Sequence, residues 1–114
     1  VDIPTSTQSA LLYRLNGDYN PLHADPVFAK KAGFKAPILH GLASYGVVAR
    51  AILQSLDHAD SSKLSSFGLR FSAPVYPGET IRTEVWRDGN EVSFRARVLE
   101  RDVIALNNGK AIIN

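Results

Sequence analysis

Residues 41–56, with the sequence GLASYGVVARAILQSL, decide the fold of this chain. Apolar side chains recur in this segment at steps of three and four residues, namely at Leu42, Tyr45, Ala49, Ile52, Leu53 and Leu56. Two further apolar residues, Val47 and Val48, lie outside that stripe. The steps predict a helix, and apolar residues on several faces are typical of a helix that other elements enclose. We therefore predict a largely buried helix from Gly41 to about Leu56, ended by polar residues 57–62.

After this helix the apolar residues follow a period of two, which indicates strands. The alternating segments and the last two apolar runs are residues 67–71, 81–85, 92–98, 103–106 and 111–113. The turn signal Asp88-Gly89-Asn90 predicts a hairpin, and we expect the last strand to bend near Asn107-Asn108-Gly109. A long apolar helix followed by three or four antiparallel strands predicts an α+β hot-dog fold, an antiparallel sheet wrapped around a long central helix. A plain α+β sandwich with the helix outside is the alternative.

Two shorter helices are expected before the long one. The first covers about residues 5–15 and is capped by Thr5 or Ser6. The second covers about residues 26–33, because Asp25 followed by proline is a common helix start. Polar residues that can carry chemistry fall between these two helices.

The composition indicates one small globular domain over residues 1–114. Hydrophobic residues make up 45% of the chain, and 13 Lys and Arg against 11 Asp and Glu give a formal charge of +2. This excess is small and scattered, and no apolar run approaches the ~18 residues of a membrane span, so neither nucleic acid nor a membrane is expected as a partner. Cysteine is absent, which excludes disulfides and thiolate catalysis. Because methionine is also absent and the chain begins at Val1, we expect a segment of a longer protein.

The segment Gly17-Asp18-Tyr19-Asn20-Pro21-Leu22-His23 brings a carboxylate, an amide and an imidazole close together in sequence. Pro21 prevents a regular helix, since it lacks an N–H and clashes with the preceding turn. A turn at Asn20-Pro21 can bring Asp18 and His23 to one side, where two proton-transfer groups face a common point. A purely structural turn, with Asp18 and Asn20 bonded to nearby backbone, is the alternative. No metal site is expected, since one His and scattered carboxylates do not form a zinc ligand set.

A second segment, residues 37–42, leads into the long helix and places Gly41 at its N-terminus. The unpaired N–H groups and the helix dipole favour negative charge there, and a ligand can approach a glycine N–H closely, as an oxyanion hole requires. A packing role for Gly41 is the alternative. His40 has no partner evident in the sequence and is interpreted as structural. Further on, Arg70 is a candidate for a phosphate contact and Phe71 for an acyl pocket, with a solvated Arg and a core Phe as the alternatives.

The segment from Tyr13 to His23, YRLNGDYNPLH, with Ala29 six residues further on, resembles the signature of the hydratase 2 family. These are the (R)-specific 2-enoyl-CoA hydratases of the MaoC-like dehydratase group. Residues 37–41, 70–71, 74–78 and 88–90 also fit, so the resemblance covers nearly the whole chain. Asn16 departs from the family, which usually has a small residue there, but it removes no chemical group.

The resemblance implies hydration of trans-2-enoyl-CoA to (3R)-3-hydroxyacyl-CoA in peroxisomal fatty acid β-oxidation. It implies that Asp18 and His23 hold one water and move its protons, that Asn20 orients this water or Asp18, and that the Gly41 N–H binds the thioester oxygen. The substrate contacts implied are at Asp18, Tyr19, Asn20, Pro21, Leu22, His23, Gly41 and Phe71.

The family implies no cofactor. Its eukaryotic members fuse two hot-dog repeats, and this chain resembles the second. An upstream repeat or a second copy of the chain is therefore implied as the partner that completes the acyl-CoA site. Two other functions stay open, namely a hot-dog module that binds an acyl thioester or dimerises without catalysis, and a hot-dog thioesterase.

Overall fold

The computed structural model describes residues 1–56, 62 and 64–113. Three helices and five strands follow one another as β1 (Asp2–Pro4), α1 (Ser9–Arg14), α2 (Pro26–Lys31), α3 (Gly41–Ser55), β2 (Leu64–Phe71), β3 (Thr80–Asp88), β4 (Glu91–Val98) and β5 (Val103–Ile113), with a 3₁₀ turn at Pro21–His23 between α1 and α2. None of the helices in this part of the chain is long and apolar enough to cross a bilayer. The polar segment expected to end α3 lies outside the described residues, apart from Ser62.

The five strands form one antiparallel sheet in the order β1-β3-β4-β5-β2. Gly89 and Asn90 connect β3 to β4, with Asp88 paired to Glu91, which confirms the predicted hairpin. β5 is a single strand, but its pairing with β4 is irregular around Asn108, whose φ is 51°. The bend expected in this strand is thereby confirmed.

The core lies between α3 and the sheet. Val48, Ala51 and Ile52 on one side of α3 are completely buried. They meet apolar side chains that alternate along the strands, among them Ile81, Val92, Phe94, Val98, Leu106 and Ala111. One long helix packed against an antiparallel sheet is the predicted α+β architecture.

The expectation that α3 is largely buried is wrong for one of its faces. Leu42 is 66% exposed, Gly46 and Arg50 are exposed, and Leu53 is only half-buried. The single sheet covers one side of the helix, so apolar residues on the opposite side remain uncovered. We call the surface formed by Leu42, Gly46, Ala49 and Leu53 the outer face of α3.

The two short helices form with adjusted boundaries. α1 begins at Ser9, later than expected, because Ser6 forms a turn in which its Oγ accepts a hydrogen bond from the Gln8 N–H at 3.1 Å. α2 has the predicted cap, since Asp25 Oδ1 accepts from the Val27 N–H at 2.9 Å. Between α1 and α2 runs the loop that holds the candidate site.

Candidate active site

The loop from Asp18 to His23 is shaped by its own side chains. Asn20 Oδ1 accepts a hydrogen bond from the Leu22 N–H at 3.0 Å, which caps the 3₁₀ turn, and Asp18 Oδ1 accepts from the Asn20 N–H at 3.2 Å. The structural turn weighed for this sequence is therefore present. The turn leaves the carboxylate of Asp18 accessible, because this side chain is 51% exposed and its second oxygen lies 3.9 Å from Nε2 of His40.

The ring of His23 is fixed from the opposite side of the loop. Its Nδ1 lies 2.8 Å from the Ile38 carbonyl oxygen. A carbonyl oxygen only accepts hydrogen bonds, so Nδ1 carries the proton. In the neutral ring this leaves the lone pair on Nε2, the arrangement that a general base requires.

His40 is only 2% exposed and contacts both neighbours. Its ring stacks on the ring of His23 with centroids 3.8 Å apart, and its Nε2 lies 3.2 Å from the Asp18 carbonyl oxygen. Burial lowers the pKa of His40, partly offset by its bond to Asp18. The sequence shows no partner for His40, whereas the structure places Asp18 and His23 against it. Its partners lie up to 22 positions away in sequence, so no local pattern reveals them.

The three side chains form a compact cluster. One carboxylate oxygen of Asp18 and one ring nitrogen from each of His23 and His40 lie within 4.8 Å of one another. These are the groups here that a metal ion could share. The His40 nitrogen that faces the Asp18 carboxylate, Nε2, carries a proton that it donates to the Asp18 carbonyl oxygen, so it has no lone pair for a metal ion. The arrangement therefore suits proton transfer better than metal binding.

A cavity of about 250 Å³ opens beside His23 and is otherwise largely apolar. Gly41 and Phe71 line it together with His23, and Phe34 and Leu106 add apolar surface. Asp18 is not among the described residues of its lining and reaches His23 from the loop. The structure thus brings the predicted catalytic histidine, the helix N-terminus and the predicted acyl-binding phenylalanine to one cavity.

Gly41 is the first residue of α3, so its N–H has no acceptor within the helix. No other described residue accepts a hydrogen bond from it. The absence of a side chain matters here, because a Cβ on Gly41 would lie 3.2 Å from the ring of Phe71. That ring is 52% exposed and lies over the start of the helix.

The remaining predicted substrate contacts occupy the rim of the site. Tyr19 is exposed beside Arg14, whose guanidinium carbon lies 5.8 Å from the ring centroid. Pro21 is exposed, and Leu22 is half-buried with its N–H bonded to Asn20 and its carbonyl to the Ile38 N–H. Contacts of substrate with Tyr19, Pro21 and Leu22 stay predictions.

The fold places the chain among hot-dog domains, and the paired carboxylate and imidazole are suited to acid–base chemistry. The family described as "MaoC like domain" matches residues 1–108, so the chain belongs to the MaoC-like family. The resemblance to this family seen in the sequence is confirmed.

Three relatives indicate how similar the chain is to known members. It is 48% identical over 104 residues to peroxisomal multifunctional enzyme type 2 of Mus musculus, covering 91% of this chain and 14% of that protein. It is 47% identical over 102 residues to the peroxisomal enoyl-CoA hydratase 2 of Arabidopsis thaliana, covering 90% and 33%. The crystal structure of a MaoC-like dehydratase from Phytophthora capsici superimposes with a TM-score of 0.95 at 43% identity, covering 100% of this chain and 39% of that one. The hot-dog fold is confirmed, and the chain spans less than half of each relative.

Proposed function

We propose that the chain catalyses the addition of water to trans-2-enoyl-CoA, giving (3R)-3-hydroxyacyl-CoA in fatty acid β-oxidation. The observation that carries this proposal is the approach of an Asp18 carboxylate oxygen to a His23 ring nitrogen, within 4.8 Å, beside an apolar cavity. The Arabidopsis relative, named enoyl-CoA hydratase 2, supports the same reaction class. The (3R) configuration is what the hydratase 2 resemblance implies.

We propose that one water bridges the two catalytic groups. A water that makes two hydrogen bonds of about 2.8 Å can bridge atoms up to ~5.6 Å apart, and Asp18 and His23 lie within that limit. Both groups accept hydrogen bonds, so they orient the water with its lone pair directed at the substrate. Its oxygen adds to the β carbon, and the proton removed from it is delivered to the α carbon. The product therefore contains every atom of the water, and both catalytic groups end in the protonation states in which they began.

The thioester oxygen gains negative charge as the water adds, and the Gly41 N–H is the donor proposed to stabilise it. Its unused hydrogen-bonding capacity at the N-terminus of α3 supports this role. The cavity wall beyond Gly41 is proposed to hold the first carbons of the acyl chain, with Phe71 at its entrance. The side-chain oxygen of Asn20 accepts a hydrogen bond from the Leu22 N–H, so the side-chain NH2 group is the part proposed to orient the water or Asp18.

The site is proposed to be completed by a neighbouring hot-dog repeat, either upstream in the same protein or in a second copy. The support is the outer face of α3, where Leu42 is 66% exposed and continues into a groove with Leu12, which is 60% exposed. Isolated exposed leucines are ordinary, but apolar residues grouped along one helix face, here beside the exposed Arg50, point to a partner. The relatives are more than twice as long as this chain, which leaves room for a second repeat.

A peroxisomal location is proposed on the names of the mouse and Arabidopsis relatives, both of which are peroxisomal. Fluorescence microscopy of the tagged full-length protein beside a peroxisomal marker tests it, and a diffuse signal would contradict it.

The reaction is tested by incubating the full-length protein with crotonyl-CoA. Loss of the enoyl absorbance without release of thiol is expected. Release of thiol would instead indicate a thioesterase, and no reaction would indicate a binding module. Chiral analysis of the product tests the (3R) configuration.

The residue roles are tested with a matched pair of carboxylate-to-amide variants. Asp18→Asn preserves the acceptor for the Asn20 N–H but removes the carboxylate that takes part in proton transfer, so hydration should fall by at least about 100-fold. Asp25→Asn, a few residues further along, should leave hydration nearly unchanged because asparagine caps a helix as well as aspartate does. Equal losses in both variants, or none in Asp18→Asn, would remove Asp18 from the mechanism.

A further inference from the structure

His40 is a buried titratable residue that the proposed reaction does not use. Its ring lies against three described groups: the ring of His23 at 3.8 Å, the ring of Tyr13 at 4.6 Å, and the Asp18 backbone and carboxylate at 3.2 and 3.9 Å. Its side chain contacts both proposed catalytic residues. A residue that only filled space here could be apolar.

The hydrogen bonds of His40 define its protonation. The Asp18 carbonyl can only accept, so Nε2 of His40 carries a proton and donates it. Nδ1 is buried and has no hydrogen-bond partner among the described residues. A proton on Nδ1 would therefore be an unsatisfied buried donor on a buried cation, which is costly. Burial lowers the pKa of His40 in agreement with this geometry.

We propose that His40 is a positioning residue for the hydration: as a neutral ring it holds the Asp18 backbone by its Nε2–H and supports the ring of His23 by stacking. The inference rests on the proposed function, in which Asp18 and His23 share one water. His40 does not itself carry a proton to or from the substrate. Its contribution is to fix the separation of the two groups that do.

The charged or titratable groups that face His40 are Asp18, His23 and Tyr13. The Asp18 carboxylate, 3.9 Å from Nε2, favours a charged His40, but burial outweighs this effect and lowers the pKa, and no described residue accepts a hydrogen bond from Nδ1.

Two variants of the full-length protein distinguish the role of the His40 Nε2–H donor from the role of its stacked ring. His40→Phe retains a ring that can stack but removes the hydrogen bond to Asp18. His40→Gln removes the ring but places an amide N–H close to the position of Nε2. We expect kcat on crotonyl-CoA to fall about 10- to 100-fold in His40→Phe with KM little changed, because small displacements of catalytic groups are this costly. His40→Gln should recover most of that loss.

The pH profile of kcat/KM distinguishes positioning from proton transfer. Both variants should keep the limbs of the parent profile, since His40 carries no proton. If both variants lose the same limb, His40 is a proton carrier and the proposal is overturned. If both have parental kcat, the side chain only packs, and the proposal is equally overturned.

A measurement on the unmodified full-length protein covers the case in which a variant fails to fold. With ¹⁵N-labelled histidine, NMR should show His40 as the neutral Nε2–H tautomer at about pH 6.5, where an unperturbed histidine is half protonated. Titration near the ordinary value of about 6.5, or an Nδ1–H tautomer, would refute the proposal. If the parent has no hydratase activity, the proposed function fails, whereas this NMR result still decides the protonation and tautomer of His40.

Discussion

His23→Asn is the change that most directly tests the chemistry assigned to the cluster. The amide nitrogen of asparagine can occupy the position of Nδ1 and keep the 2.8 Å bond to the Ile38 carbonyl. Asparagine has no group at the position of Nε2, so the proposed base is lost. Because general acid–base catalysis contributes about 10²–10⁴ in rate, kcat should fall by at least about 100-fold.

The stability of the same variant separates chemistry from structure. Loss of the stack with His40 should cost about 0.5–1.5 kcal/mol, the range of aromatic pairs. His23→Ala also leaves the Ile38 carbonyl unpaired, which should cost a further ~1–3 kcal/mol. The assays are steady-state hydration of crotonyl-CoA and urea unfolding followed by circular dichroism, on parent and both variants. Hydration within tenfold of the parent by folded His23→Asn would refute the assignment of Nε2 as the base.

Three further changes test the fold and the cavity. Ile52→Ala should lower the free energy of unfolding by about 2–5 kcal/mol, since Ile52 is completely buried, and a loss below about 0.5 kcal/mol in urea unfolding would contradict the packing of α3. Gly41→Ala should leave the free energy of unfolding nearly unchanged, because the half-exposed ring of Phe71 can move away from the new Cβ. It should nevertheless lower kcat at least about tenfold, because the methyl group obstructs access to the Gly41 N–H. Unchanged kcat would argue against the oxyanion role. The pKa of His40 is lower in the folded than in the unfolded chain, so the unfolded chain binds more protons below about pH 6.5 and the protein should lose stability as the pH falls from there. Urea unfolding at pH 7.5 and 5.5 should show a smaller loss of stability in His40→Gln than in the parent. Equal losses would contradict a depressed pKa.

The site was partly predictable because its main features are local. Pro21 prevents a helix, and a turn can bring Asp18 and His23 to one side, although the ring of His23 is then fixed by the Ile38 carbonyl further along the chain. The same local pattern explains why the structural alternative was also correct, since Asp18 and Asn20 both bond to nearby backbone. His40 could not be found this way. It meets His23 only when α3 has packed on the sheet, and no spacing of residues in the sequence predicts that contact.

The long helix shows a second limit. The spacing of its apolar residues predicted the helix, and one of those residues, Ile52, is completely buried. Periodicity does not say what covers each face, however. Leu42 belongs to the same stripe and is 66% exposed, because the sheet of this chain reaches only one side of the helix.

The proposed proton-transfer groups and the oxyanion donor all lie between Asp18 and Gly41, whereas β3, β4 and β5 supply packing and, through Leu106, part of the apolar cavity wall. This division has a consequence for which substitutions the protein tolerates. In the three strands, a harmful substitution should lower activity and the folded fraction together, and exposed positions such as Trp86 should accept many residues. Between Asp18 and Gly41, substitutions of the proposed catalytic groups should inactivate protein that remains folded, whereas substitutions of the buried Ala29 and Leu39 should destabilise it. Selection on proton transfer therefore acts mainly on this segment, and the sheet can diverge as long as it still packs against α3 and keeps Phe71 and Leu106 at the cavity.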